Sequence, residues 1–217
     1  MITDRDRAIL LFMSQTRLAT TKQIQRVFFN NLHHSIVYNR LTHLVDCKLL
    51  KRKYFNLEGK KNIYIYYLDK FPAKKTIKHD LKITEFYVKL IENNYKIIAF
   101  EKNPIIADII PDAEIWVEKN NKEFGIFLEI QLANHCVQSK YFNLKNKVNR
   151  KIPNILYIVS DRKINIQKLR YFQTILDDLE MGKIEELIIP SLGYGIIISF
   201  FSPKKSFFFA YSTCACK

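Results

Sequence analysis

The sequence predicts a chain of mixed α+β or α/β class in two parts. A helical unit closed by a hairpin comes first, then a unit of order α-β-β-β-α-β. Three observations carry this expectation. Apolar residues recur at helical spacing up to about Cys47 and again beyond Lys78, and at strand spacing in short runs elsewhere. Pro72 lies among lysines in Asp69-Lys70-Phe71-Pro72-Ala73-Lys74-Lys75, a natural boundary between two patterned blocks. Charge is also uneven, because residues 1–70 hold 13 basic and 5 acidic side chains while the longer remainder holds 22 and 16. The expected division is 1–70, 76–190 and a C-terminal extension over 191–217.

The elements of the first block follow from caps and periodicity. Thr3, with Asp6 three residues on, starts a helix carrying Ile9, Leu10, Phe12 and Met13. Thr20 and Gln23 form a second capping box before Ile24, Val27 and Phe28. Asn30-Asn31 ends that helix, and Ser35 is placed to cap a third helix running to about Cys47. KRKYF and IYIYYL are β-rich runs joined through Asn56-Leu57-Glu58-Gly59-Lys60-Lys61, which predicts a hairpin. Three helices followed by a hairpin is the order of a winged helix-turn-helix.

The third helix divides cleanly by face. Val37, Leu41, Leu44 and Val45 form an apolar stripe. Ser35, Asn39, Thr42 and His43 lie opposite, with Arg40 on the flank, and such side chains donate to or accept from base edges in a major groove. Lys51, Arg52 and Lys53 on the first hairpin strand, and Lys60 and Lys61 at its tip, suit phosphate contacts. A solvated helix face or a protein-binding module would show much the same pattern; the basic excess favours double-stranded DNA. His33, His34 and His43 lack companions that would complete a metal site.

Composition narrows the class. With 48% hydrophobic and 13% aromatic residues, the 217-residue chain has the means to bury a core. A formal charge of +14 points to a polyanionic partner, although a Lys-, Ile- and Asn-rich chain also arises from base-composition bias. Cys47, Cys136, Cys214 and Cys216 lack paired metal-ligand spacing, as expected of free thiols in a reducing cytoplasm. The N-terminus does not read as a signal peptide, and no apolar run approaches the roughly 20 residues that span a bilayer, so no membrane partner is expected.

In the second block, a helix is expected from about Lys78, a strand at KIIAFEK, and a hairpin from DAEIWVE and FGIFLEIQL. A helix from Ser139 to Lys151, the strand NILYIVS, a helix over about Asn165–Met181 and the strand EELIIP complete it. Strand alternation turns Leu128 and Ile130 inward and puts Glu129 and Gln131 on the other face, with Asp112 entering the neighbouring strand. Two converging carboxylates, Asp112 and Glu129, are candidate Mg²⁺ ligands, and a metal so held supplies hydroxide and transition-state charge. A lysine is the expected third member; Gln131 occupies that place. Lys140, Lys145 and Lys147 are candidates for a displaced lysine or for DNA-backbone contacts, and Glu85 is a further candidate carboxylate. Tyr141 is a weak candidate nucleophile. The plain alternative is a hairpin with one wet face, on which Glu114, Glu118 and Glu123 point outward.

Pro111-Asp112 followed by Glu129-x-Gln131, in this element order, resembles the PD-(D/E)XK, restriction-endonuclease-like superfamily without its lysine. The whole layout, from DRDRAILLF and ATTKQIQRVFF through His79 before TEFYVKL to the PDA hairpin and FLEI, resembles the plasmid replication-relaxation family over roughly residues 3–160. The resemblance implies a DNA-binding protein of a plasmid or other mobile element, acting in replication, mobilisation or transcriptional control. It implies catalytic positions at Asp112, Glu129 and Gln131 that are not fully equipped for cleavage. The competing expectations are a Mg²⁺-dependent endonuclease or nickase and an accessory factor for replication or transfer proteins. A homodimer on palindromic half-sites fits the DNA-binding reading.

Overall fold

The computed structural model describes residues 1–56, 63–131, 138–160, 169, 171–177 and 197–199. They form a mixed α and β structure with two sheets. Helix α1 (Asp4–Thr16) opens on the Thr3–Asp6 capping box, and strand β1 (Leu18–Thr20) leads into α2 (Thr21–Phe28), capped by Thr20 and Gln23. Helix α3 (His34–Asp46) follows, but its N-cap is His33, whose Nδ1 accepts from the Ser35 amide at 3.3 Å. Ser35 therefore sits in the first turn and does not cap it. Strands β2 (Lys51–Phe55) and β3 (Ile63–Tyr67) complete an antiparallel sheet of order β1-β3-β2. Three residues are too few to display alternation, which is why β1 is not legible in the sequence. Lys60 and Lys61 lie outside the described residues.

Helix α4 (Lys74–Glu92) begins one turn earlier than its apolar pattern suggests and leads to β4 (Lys96–Lys102). Strands β5 (Ala113–Lys119) and β6 (Lys122–Gln131) are joined by Asn120-Asn121, both at positive φ, as a tight hairpin turn requires. A 3₁₀ turn at Gln138–Tyr141 and a single turn α5 (Leu144–Lys147) replace the expected helix over 139–151. Asn143, Asn146 and Asn149 punctuate that stretch and weaken any continuous helix. Strands β7 (Ile155–Ser160), β8 (Gln173–Asp177) and β9 (Ile197–Ser199) extend the second sheet, of order β4-β5-β6-β7-β8-β9. Its first three strands are antiparallel and the rest parallel. The helix expected over 165–181 is thus corrected at 173–177, a strand. Its central residues Thr174, Ile175 and Leu176 are all buried, and a run buried on both faces has no period to separate strand from helix. The expected strand EELIIP lies outside the described residues, while Ile197–Ser199, within the expected extension, pair with β8.

The second sheet is covered on both faces. Ile115, Val117, Ile126, Leu128 and Ile130 pack against Ile83, Phe86 and Leu90 of α4. Phe127, Leu156, Ile158 and Leu176 pack on the other side against Tyr141, Leu144, Leu169 and Phe172. The sheet backbone also admits little side chain at Gly125, where a Cβ would lie 2.8 Å from Pro153 Cα.

Helix α4 belongs to both units. Tyr87 and Val88 enter the core of α1, α2 and α3. Ile77 and Leu81 pack on Leu18 and Ile65 of the small sheet. Polar contacts reinforce the seam: Thr84 Oγ1 donates to Leu18 O at 2.7 Å, Gln23 Nε2 to Leu81 O at 3.1 Å, and Arg26 pairs with Glu85 and Glu92 at 2.6 and 2.5 Å. No helix among the described residues is long and apolar enough to cross a membrane.

Candidate functional site

Two places concentrate polar chemistry, the outer face of α3 and the junction of α4, β5 and β6. On α3 the apolar stripe Val37, Leu41 and Leu44 is fully buried, which turns Ser35, Asn39 and His43 to solvent. Ser35 Oγ lies 2.8 Å from His33 Nδ1, and His43 Nε2 lies 3.7 Å from Cys47 Sγ. Arg40 points elsewhere. Its guanidinium grips the buried carboxylate of Asp6, with Nε 2.7 Å from Oδ1 and a second bond to Oδ2. That pairing holds the Asp6 carboxyl well below the usual carboxylate range. Arg40 ties α3 to the start of α1 and is not a free base-reading group.

The pleat also separates the basic trio of β2. Arg52 turns toward α3, where Nη1 donates to Thr42 Oγ1 at 2.8 Å and the guanidinium lies over the Tyr38 and Tyr64 rings at 5.5 and 5.0 Å. Lys53 turns to the opposite side of the sheet and sits 4.7 Å from the Phe71 ring centroid. Alternation across a strand makes this unavoidable, and adjacent basic letters conceal it.

At the second place, Asp112 and Glu129 come together with partners that the sequence did not reveal. Asp112 Oδ2 accepts from the Ile130 amide at 2.6 Å, so the carboxylate continues the β5–β6 ladder past its last backbone pair. The same oxygen lies 3.0 Å from His79 Nε2. His79 Nδ1 is 3.3 Å from Asp80 Oδ1, which is 2.8 Å from Lys102 Nζ. Burial alone would lower the His79 pKa, but its bonds to Asp112 and Asp80 outweigh that and raise it to about 9. Lys102 is driven the other way by burial, only partly offset by Asp80. Four groups thus alternate in sign from Lys102 to Asp112.

Glu129 lies beside this chain. It is only 4% exposed, which contradicts the expectation of a wet hairpin face. Burial raises its carboxyl to about 7, the Lys140 charge opposes the shift, and the Asp112 charge adds to it. Lys140 Nζ is 2.6 Å from Glu129 Oε1, and the buried Tyr141 hydroxyl donates to the same oxygen. Burial and Glu129 push the Tyr141 phenol upward, which is the wrong direction for a nucleophile. Gln131 is buried next along the strand. Glu114, expected outward, is also buried, clasped by both Arg150 nitrogens at 2.8 and 2.7 Å and by Trp116 Nε1 at 3.0 Å. Lys145 lies over Tyr171, Lys147 pairs with Asp108, and Glu85 belongs to the α2 seam and not to this cluster.

The two candidate Mg²⁺ ligands, Asp112 and Glu129, are engaged by other side chains. Each carboxylate already has a cation on it, His79 on Asp112 and Lys140 on Glu129, and protonation of Glu129 competes near neutrality. Among the described residues no group of three or more His, Cys, Asp or Glu is arranged to hold a metal ion. Asp80 and Lys102 were missed in sequence, and His79 was noted only as a landmark of the resemblance, with no role in the site. A His-Asp pair in a lysine-rich helix reads as surface, and a lone lysine closing a strand reads as a solvated end. Compared with protein-family models, curated proteins and solved structures, the chain matches none.

Proposed function

We propose that the protein binds double-stranded DNA in a sequence-specific manner through a winged helix-turn-helix, in the replication, mobilisation or transcriptional control of a plasmid or similar element. The observation that carries this reading is the outer face of α3. It presents Ser35, Asn39 and His43 on a helix whose other side is fixed in a core, within a unit of net positive charge. The element order α1-β1-α2-α3-β2-β3 and the three-stranded sheet support it. The restriction-endonuclease-like domain serves as scaffold: its carboxylates hold Ile130, His79, Lys140 and Tyr141.

The test is selection of a duplex from a random pool, followed by mobility-shift titration. Asn39→Ala is expected to lose about 5- to 150-fold in affinity for the selected site, in line with about 1–3 kcal/mol for a good base contact, with weak-site binding little changed. Failure to enrich any sequence, or equal affinity in the variant, rejects the assignment.

The alternative, a Mg²⁺-dependent endonuclease or nickase, is favoured by one observation, the approach of Lys140 to Glu129 in place of the lysine missing at Gln131. Supercoiled plasmid incubated with the protein and Mg²⁺ or Mn²⁺ is expected to stay supercoiled. Open circles that vanish in both Asp112→Ala and Glu129→Ala would transfer the conclusion to the enzyme.

A further inference from the structure

The small sheet has two differently equipped faces. Arg52 opposes Tyr66 on the side of α1, α2 and α3. Lys51 and Lys53 oppose Tyr67 and Ile65 on the side that packs against Ile77 and Leu81 of α4. Lys51 Nζ donates to Asp69 O at 2.8 Å, and Lys53 lies on Phe71, so both extend toward the segment that enters α4. There they meet Lys70, Lys74, Lys75 and Lys78, all exposed. Asp69 is the only acidic residue between 63 and 79. Among the described residues, Lys53, Lys70, Lys74 and Lys75 enter no ion pair.

We propose that this face, turned away from α3, is a second nucleic-acid surface that grips the phosphate backbone of a second duplex segment without reading its sequence. The inference goes beyond the reading of α3 and does not depend on α3 being specific. Several arguments favour phosphate. Lys70, Lys74 and Lys75 are exposed, on flexible stems that deliver point charges. The N-cap of α4, Ala73, offers no side-chain cap, so the first-turn amides add their positive end to the same place. An anionic membrane fits less well, because no large apolar side chain between 63 and 82 is among the exposed ones.

Because the two faces belong to opposite sides of one sheet, one chain would hold two duplexes at once. The experiment is a capture assay with the full chain. Bead-bound duplex is loaded with protein, washed, and offered a fluorescent second duplex of unrelated sequence. Wild type is expected to capture it. The triple variant Lys70→Glu/Lys74→Glu/Lys75→Glu is expected to remain on the beads yet lose capture at least tenfold. The milder Lys→Gln triple should lower the slope of log affinity against log salt by about 2–3, near 0.9 for each phosphate contact removed. Capture by the Glu triple equal to wild type assigns bridging to pairing between copies and overturns the proposal, as does a wild type that captures nothing. Vesicles rich in phosphatidylserine that bind wild type as tightly as duplex at equal salt would overturn it in favour of a membrane. Asn39→Ala protein that loses site preference but keeps salt-sensitive capture would leave this surface standing; loss of capture with site preference intact would remove this surface alone.

Discussion

Burial lifts the Glu129 carboxyl to about 7 while ion pairing lifts the His79 imidazolium to about 9, within one cluster. Both folded values lie above their ordinary ones, so each group contributes stability at low pH that disappears as pH rises. The windows differ. For Glu129 the loss runs from about 4.5 to about 7, and for His79 from about 6.5 to about 9. Chemical denaturation across this range should show a decline that Glu129→Gln flattens in the lower window and His79→Gln flattens in the upper one. Each flattening should be on the order of 2–3 kcal/mol, because every tenfold gain in proton affinity on folding is worth about 1.4 kcal/mol, with the smaller effect at His79, which is partly solvated. Identical curves for wild type and both variants would mean that neither group is held as described. Arg40 poses a different problem at the same scale. Asp6 would keep its bonds from Thr3 but lose its cation in Arg40→Ala, and a loss of about 1–3 kcal/mol in unfolding free energy is expected. A variant that remained as stable as wild type would show that Arg40 is dispensable to the fold.

At the level of elements, legibility tracked how much of the signal was local. The two capping boxes are written in side chains three residues apart, and both form. KIIAFEK became a strand over its whole length, and NILYIVS did so from Ile155. Gln173–Asp177 did not declare itself, because its strand character comes from pairing in register with β7, a partner distant in sequence. The carboxylate cluster divides in the same way. Asp112 and Glu129 were visible as acids interrupting greasy strands. Their neighbours His79 and Lys102 arrive from α4 and β4, and only the packing of helix on sheet brings them within bonding distance. Lys51, Arg52 and Lys53 are adjacent in sequence, yet the pleat sends Arg52 to one face and Lys51 and Lys53 to the other.

At the level of the molecule, α4 removes the independence implied by a boundary near residue 70. Its residues complete three cores, one on the large sheet and two on the N-terminal unit. Thermal or urea unfolding should therefore give one transition, followed in parallel by Trp116 fluorescence, which reports the large sheet, and by a probe on α3. Separate midpoints for the two signals would show that the seam is too weak to couple them. Arg26→Ala, which cuts the pairs to Glu85 and Glu92, is the substitution best placed to separate them.

The sharing of α4 also has a consequence for the order of events at the ribosome. The first six elements emerge without the helix that covers Leu18, Ile65 and the end of α1, so the nascent unit waits with those apolar surfaces bare. Only after Val88 clears the exit tunnel, tens of residues later in translation, is the N-terminal core sealed. The same helix carries Ile83, Phe86 and Leu90, which pack against strands encoded after it.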